Sequence, residues 1–323
     1  MINVENNPEF LNSFLDYIET ILNKSPATVK EYNYDLINFL KFVKIRLKLT
    51  KETELEKIII KDITLEDLKK LTLDDLHAYL GYLTRNNNSK PATRARKVSS
   101  IKTFFNYLTA KANLLEINPA QNLESPKIGK RIPKYLSLDE SKKLLEVTEQ
   151  EDNRNPERDY AIITIFLNCG IRLSELVNIN IQDISFEEEK MTVIGKGNKE
   201  RTIYLNNACI KAIKDYLAIR PNDLKNPENK KPLFLSERKN RISQRTVQVI
   251  VKRELQKAGL DTNKYSVHKL RHTAATLMYQ NGVDIRALQE LLGHESISTT
   301  EIYTHVDNNQ IREAVRQNPL ANE

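Results

Sequence analysis

Apolar positions in the first 112 residues recur every three to four residues, which predicts helices through most of this region. Ser25 and Pro26 form a cap followed by a first-turn proline, and the apolar positions after them predict a helix that runs to about Leu47. Thr64 and Thr72 each have an aspartate three positions later, the spacing of a capping box. Each of them therefore predicts the start of a separate helix.

The last helix of this region is predicted to begin at Ser89 and has two different faces. One face is apolar and should point into a small helical bundle, formed by Val98, Ile101, Phe104, Phe105 and Leu108. The remaining surface of the helix is crowded with cations, namely Lys90, Arg94, Arg96, Lys97 and Lys102. The pattern predicts a basic-faced helix at the end of an N-terminal bundle that spans residues 1–112.

The helical pattern stops in residues 113–134, where three prolines and several basic residues predict an extended interdomain linker. A second domain is predicted over residues 135–323, beginning with a capping box formed by Ser137 and Glu140. Helical patterns dominate it, apart from two strand-like runs, residues 191–194 and 202–205, that flank the turn GKGNKER. The expected fold is therefore mainly α, with a helical bundle followed by a mixed, mostly helical domain that holds a small antiparallel β-sheet.

Composition narrows the class of partner. A chain of 323 residues with 40% hydrophobic residues can bury two cores, which argues against disorder. Its formal charge is +7, yet residues 85–134 alone hold eleven Lys or Arg and only two Glu. Such a concentration of cations favours nucleic acid, although a solvated helix face would also account for it.

Other classes find little support in the sequence. A signal peptide, a membrane span and a CxxC motif are all missing, and Cys169 and Cys209 stand 40 positions apart. We therefore expect a protein of the reducing cytoplasm, with no membrane partner and no disulfide scaffold.

Histidines cluster near the end of the chain, where four of the five lie in the last 56 residues: His268, His272, His294 and His305. The first two are four positions apart on a predicted helix, the spacing of a zinc-binding pair. However, Lys269 stands where a metalloprotease would carry its glutamate base, and a cation disfavours a metal. With Arg271 beside them, the pair fits anion binding better, and we expect neither a metal nor another cofactor.

If the anion is a phosphate, metal-free phosphoryl transfer requires three kinds of group. Permanently charged planar donors must bind the non-bridging oxygens, and Arg172 and Arg271 can serve. The leaving oxygen needs a proton donor such as Lys196, and Tyr303 is a nucleophile if neighbouring cations favour its phenolate. Each residue alone has an ordinary structural explanation, whereas the ordered set is specific.

The motifs CGIRLSEL, VIGKGNKER, HKLRHTAAT and LLGHESISTTEIYTH stand in an order and spacing that resemble the tyrosine recombinases of the phage integrase type, and among them the Xer-like branch. SPATVKEYNYDLINFLKF is similar to the SAM-like core-binding domain of that family. Transferred by position, the resemblance implies these roles: Arg172, Arg271 and His294 bind the scissile phosphate, His268 is the base, Lys196 the acid, Tyr303 the nucleophile, and Glu175 holds the active-site side chains in place.

The resemblance also implies an assembly and a partner. Four protomers, identical or paired with a paralogous recombinase, would act on two double-stranded recombination sites through a Holliday junction, with the two domains forming a C-shaped clamp around each duplex. Candidate DNA contacts are Lys90, Arg94, Lys97 and Arg245. The expected role is resolution of chromosome or plasmid dimers. Integration of a mobile element, relaxation by a type IB topoisomerase and regulation without catalysis stay open as alternatives.

Overall fold

The computed structural model of the chain describes residues 5–86, 88–127, 129, 134–150, 154–195, 199–222 and 231–293. The chain divides into two compact units, Met1–Lys130 and Arg131–Glu323. As predicted, the fold is mainly helical with a small antiparallel sheet.

The first unit is a helical bundle, made of α1 (Glu9–Thr20), α2 (Pro26–Arg46), α3 (Leu65–Lys69), α4 (Leu73–Arg85) and α5 (Pro91–Ala110). The predicted helix starts are confirmed at Ser25, whose hydroxyl accepts the Thr28 N–H, and at the capping boxes of Thr64 and Thr72. The start of α5 differs by two residues from the prediction, because Pro91 occupies its first turn and Lys90 is the N-cap.

Aromatic rings from different helices pair in the core of this bundle. Phe14 on α1 meets Phe104 on α5 edge-on, with ring centroids 5.3 Å apart, and Phe39 on α2 meets Tyr79 on α4 at the same distance. Such edge-to-face pairs stabilise a core beyond the area they bury. The core also takes in Leu115, Ala120 and Leu123, all buried. The first unit therefore continues past residue 112, and the segment predicted as an extended linker begins as part of the bundle.

The second unit starts with α6 (Leu138–Glu149), α7 (Pro156–Cys169) and α8 (Leu173–Asn178), continues with β1 (Ile184–Ser185), β2 (Lys190–Ile194) and β3 (Glu200–Tyr204), and ends with α9 (Asn207–Ile219), α10 (Gln244–Lys257), α11 (Val267–Gln280) and α12 (Ile285–Leu292). Helix α7 lies at its centre, packed against α6, α9 and α11. Residues 161–167 of α7 are all buried, so this part of the helix is enclosed on every side, whereas its first turn carries Glu157, Arg158 and Asp159.

The small sheet has the antiparallel order β1-β2-β3. Both predicted strands are present, paired so that Met191 lies opposite Ile203 and Val193 opposite Arg201. Strand β1 was not predicted, because two residues are too short to show an alternating pattern. Strand β3 begins at Glu200, inside the segment GKGNKER that the sequence predicts as a turn, so Arg201 lies on the strand.

Two further sequence expectations can be set beside the fold. Cys169 and Cys209 are free thiols whose sulfur atoms lie 3.7 Å apart in the core of the second unit. Across the described part of the chain, helices are too short or too polar to cross a membrane.

Candidate active site

The site begins at a sharp turn between α7 and α8. Gly170 ends α7 in the left-handed conformation, with φ of 56°, which only glycine adopts readily. A Cβ added at Gly170 would also lie 3.0 Å from Cδ2 of Leu292, so the glycine allows α12 to approach closely. The turn leads directly into Arg172, the N-cap of α8.

Glu175 holds Arg172 in two ways. One carboxylate oxygen accepts the backbone N–H of Arg172 at 2.9 Å, and the other accepts its guanidinium at 2.8 Å. Only 1% of Glu175 is exposed, whereas the side chain of Arg172 is 31% exposed. The buried carboxylate therefore fixes an arginine that solvent and a ligand can still reach.

A second arginine, Arg201 on β3, binds the same carboxylate with a guanidinium nitrogen 2.8 Å from Oε2. Burial by itself would raise the pKa of Glu175, but the hydrogen bonds from Arg201 and Arg172 outweigh it and hold the pKa below the ordinary 4.5. The sequence reasoning did not single out Arg201, although it stands within the VIGKGNKER motif. Arg201 is the last residue of the segment predicted as a turn, just before the predicted strand at residues 202–205, so alternation along a strand did not indicate it.

Arg271 approaches the same region from α11. Its guanidinium donates to the carbonyl of Gly170 at 2.7 Å and to the carbonyl of Leu292 at 2.6 Å. Arg172 donates to the next carbonyl, that of Gly293, also at 2.7 Å. Arg172 and Arg271, which lie 99 positions apart in the sequence, thus meet at the C-terminal end of α12, where the helix dipole favours cations.

The guanidinium of Arg172 keeps N–H groups that phosphate binding requires. The contacts of Arg172 to Glu175 and Gly293 occupy two of its five N–H groups. Planar N–H donors of this kind bind phosphate oxygens with short, charge-assisted hydrogen bonds. Arg172 can therefore present a fixed cation to an anion, and the buried charge of Arg271 lies beside it at the end of α12.

His268 lies one helical turn before Arg271 at the start of α11, and it is exposed. Together with Arg245 and Lys252 of α10 it lines a groove of about 270 Å³ on the second unit. Two cations and an imidazole along one groove suit an anionic chain. The structure brings the proposed base and the proposed DNA contact Arg245 to the same groove.

His272, the other member of the histidine pair, has a different environment. Burial lowers its pKa, and the positive charges of Lys269, Arg271 and His268 lower it further, to about 4. The imidazole is therefore neutral at pH 7, in surroundings that repel a metal cation. Among the described residues, groups of three or more His, Cys, Asp or Glu suited to a metal ion do not occur.

The cations predicted to contact DNA from α5 have different environments. Lys90 is exposed at the start of the helix, and Arg94 is half-buried and donates to the carbonyl of Ser89. Lys97, in contrast, is buried, and its ammonium lies 2.8 Å from the buried carboxylate of Asp35. The structure thus gives Lys97 an internal partner, and Lys90, Arg94 and Arg245 are left as candidate surface contacts.

The three other predicted catalytic residues, Lys196, His294 and Tyr303, lie outside the described residues. Their neighbours in the chain are described. Gly195, which precedes Lys196, closes the end of the β2–β3 hairpin through its N–H to the carbonyl of Lys199 at 2.8 Å. Gly293, which precedes His294, ends α12 in the left-handed conformation with φ of 62°.

Comparison with known proteins gives consistent results. Residues 134–310 match the model of the phage integrase family, more than half of the chain. The chain is 55% identical over 98% of its length, and 88% of the relative's, to the tyrosine recombinase XerC of Caldanaerobacter subterraneus subsp. tengcongensis. It is 35% identical, over 97% of both chains, to the tyrosine recombinase XerC of Thermodesulfovibrio yellowstonii.

A solved structure is similar as well. The XerH site-specific recombinase bound to difH substrate, in a pre-cleavage complex, is 26% identical with a TM-score of 0.67. The alignment covers 94% of the present chain and 84% of that one.

Proposed function

The chain belongs to the phage integrase family as a site-specific tyrosine recombinase of the Xer type, and on that premise we propose that it cleaves and rejoins DNA through a 3′-phosphotyrosyl intermediate. The phenolate oxygen of Tyr303 attacks the scissile phosphorus, and the bond from phosphorus to the 5′-oxygen breaks. The 5′-hydroxyl of another strand then attacks the phosphotyrosyl group and releases the tyrosine. Each step exchanges one phosphodiester for another, so the reaction needs no external energy source.

One observation carries this proposal: Arg172 and Arg271 converge on the adjacent carbonyls of Leu292 and Gly293. In the transition state of phosphoryl transfer, negative charge is spread over the non-bridging oxygens, and two preorganised guanidiniums stabilise it. The neighbouring Glu175 keeps Arg172 in place, as expected for a site that must not reorganise during the reaction.

The remaining roles follow from chemistry and from position in the chain. Lys196 protonates the departing 5′-oxygen, His268 accepts the tyrosine proton, and His294 adds a hydrogen bond to the phosphate. An exposed His268 beside Arg245 and Lys252 supports this, because a base must reach both the solvent and the DNA.

The partner in this proposal is a double-stranded recombination site, held by phosphate contacts from Lys90, Arg94 and Arg245. The difH-bound relative supports a DNA partner of that kind. Four protomers, of this chain alone or together with a paralogous recombinase, act on two sites through a Holliday junction. A cytoplasmic location accompanies this role, since the substrate is the chromosome or a plasmid.

We favour resolution of chromosome or plasmid dimers as the biological role, because the relatives with the names XerC are similar over nearly the whole chain. Integration of a mobile element would use the same chemistry at a different site. Sequencing the DNA that the protein holds covalently in cells distinguishes the two: a single chromosomal site indicates dimer resolution, and the ends of an element indicate integration.

A plasmid with two directly repeated copies of the recovered site tests recombination itself. We expect two smaller circles, formed in the presence of EDTA and without ATP, and no such products with Tyr303→Phe. Relaxation of supercoils at any sequence, without smaller circles, would instead indicate topoisomerase activity.

A further inference from the structure

Arg201 connects three separate parts of the second unit. From β3, one guanidinium nitrogen reaches Glu175 near the start of α8, and another donates to the carbonyl of Leu291 at the end of α12. Only 14% of its side chain is exposed. A lysine could not replace this connection, because its single ammonium lacks the rigid fork that reaches two partners in different directions.

The end of α12 is shaped to fit Arg201. A Cβ added at Gly293 would lie 2.9 Å from Cδ of Arg201 and 3.2 Å from its Nε, closer than side chains normally approach. Three arginines consequently donate to three consecutive carbonyls: Arg201 to Leu291, Arg271 to Leu292 and Arg172 to Gly293. Arg201 contacts the first of these three carbonyls in chain order.

The hairpin that carries Arg201 also abuts Glu175. A Cβ added at Gly195, at the end of β2, would lie 3.4 Å from Oε1 of Glu175. The pairing of Val193 with Arg201 sets the register that brings the arginine to the carboxylate. The sheet, the start of α8 and the end of α12 therefore meet at one buried negative charge.

An ordinary structural ion pair does not explain this arrangement. Arg172 already supplies Glu175 with a backbone N–H and a guanidinium. The second guanidinium adds a link between the carboxylate that orients Arg172 and the helix end that Arg172 itself contacts. Since the two contacts of Arg172 both depend on groups that Arg201 holds, movement of Arg201 would shift both.

We propose that Arg201 is a positioning residue for DNA cleavage, which fixes Glu175 and the end of α12 and thereby orients Arg172. The inference rests on the proposed function, because Arg172 is the residue that would contact the phosphate. Arg201 itself need not touch DNA.

The test measures single-turnover cleavage of a nicked recombination site at saturating protein, together with DNA affinity and thermal stability. Arg201→Gln should cleave about a hundredfold more slowly, because a misplaced phosphate donor has an effect of that order. Its DNA affinity should stay within about threefold of the wild type. Arg220→Gln is the matched control, since Arg220 is another buried arginine that donates to carbonyls, those of Leu233 and Pro232. The control should lose stability but keep its cleavage rate to within about threefold of the wild type.

A double variant separates positioning from general damage. In the Arg172→Ala background, Arg201→Gln should slow cleavage by less than about threefold, because the residue through which it acts is gone. A full hundredfold loss in that background, or unchanged cleavage by Arg201→Gln alone, would overturn the inference. If Arg201→Gln does not fold, Arg201→Lys, which retains a cation beside Glu175, should fold and cleave at an intermediate rate; a wild-type rate would also overturn it.

A separate variant tests the proposed function independently of the role of Arg201. Tyr303→Phe, run beside these variants, should form no covalent adduct. An adduct with that variant would reject the tyrosine nucleophile whatever the Arg201 variants do.

Discussion

The backbone N–H and the guanidinium of Arg172 both bind the carboxylate of Glu175, at 2.9 and 2.8 Å. The arginine is thus fixed at both ends of its side chain by one buried acid three positions later in the sequence. The contact explains how an arginine at a helix start, with a side chain that is 31% exposed, is held in place for a ligand.

The Glu175 contact predicts a dependence of stability on pH. The pKa of the Glu175 carboxyl is lower in the folded protein than its ordinary 4.5. The ionised carboxylate therefore stabilises the folded state above about pH 4.5, and this stabilisation is lost as the pH falls through the folded-state pKa. Glu175→Gln should be about 2 kcal/mol less stable than the wild type at pH 7. Urea unfolding should show this difference shrinking below about pH 4.5. A difference that stays constant down to pH 3 would argue against an ionised Glu175.

The pair of arginines predicts a loss of catalysis without a comparable loss of binding. Arg172→Ala and Arg271→Ala should each slow single-turnover cleavage by about 10²- to 10³-fold, the usual effect of removing one transition-state donor. Filter binding at fixed salt should show much smaller changes in affinity. If either variant cleaves at the wild-type rate, that arginine does not bind the scissile phosphate.

The close approach of Gly293 to Arg201 predicts that a methyl group at this position disturbs the site, and Gly282 provides a control for backbone strain. Gly293→Ala places a methyl group against Arg201 in a left-handed residue, whereas Gly282→Ala places one in a left-handed residue with open space around it. Left-handed strain should cost each variant about 1–2 kcal/mol. Only Gly293→Ala should also slow cleavage. Equal cleavage rates for the two variants would show that the contact with Arg201 is unimportant.

Two lysines of α5 predict opposite outcomes. Lys90→Gln removes an exposed cation, and each lost phosphate contact should flatten the dependence of log affinity on log salt by about 0.9. Lys97→Met removes an internal partner of Asp35 and should cost about 2 kcal/mol in unfolding free energy without changing that dependence. A flatter salt dependence for Lys97→Met, with no loss of stability, would indicate that Lys97 contacts DNA.

The sequence predicts local features well where the signal is local. Helix caps such as Ser25 and Ser137 depend on residues within three positions, and the structure contains both. Lys97 illustrates the limit. Its position four residues before Ile101 places it on the apolar face of α5, but its partner Asp35 lies 62 positions away and has no local signature.

The same distinction applies at the site. The motifs around Arg172 and Arg271 are recognisable in the sequence. The two arginines meet at the end of α12, however, only because α8, β3, α11 and α12 pack together. The contacts of Arg201 also depend on that packing. From the sequence alone, an arginine on a strand is equally consistent with an exposed charge. The buried carboxylate of Glu175 binds both Arg172 and Arg201, and both arginines bind carbonyls at the end of α12.

The most direct test of the central claim is the identity of the residue that becomes attached to DNA. The wild-type protein is incubated with a nicked recombination site, the adduct is digested with trypsin, and the peptide that carries the nucleotide is sequenced by mass spectrometry. We predict a 3′-phosphate ester on Tyr303 and no adduct with Tyr303→Phe. Attachment through another residue, or an adduct that persists in Tyr303→Phe, would contradict the proposed mechanism.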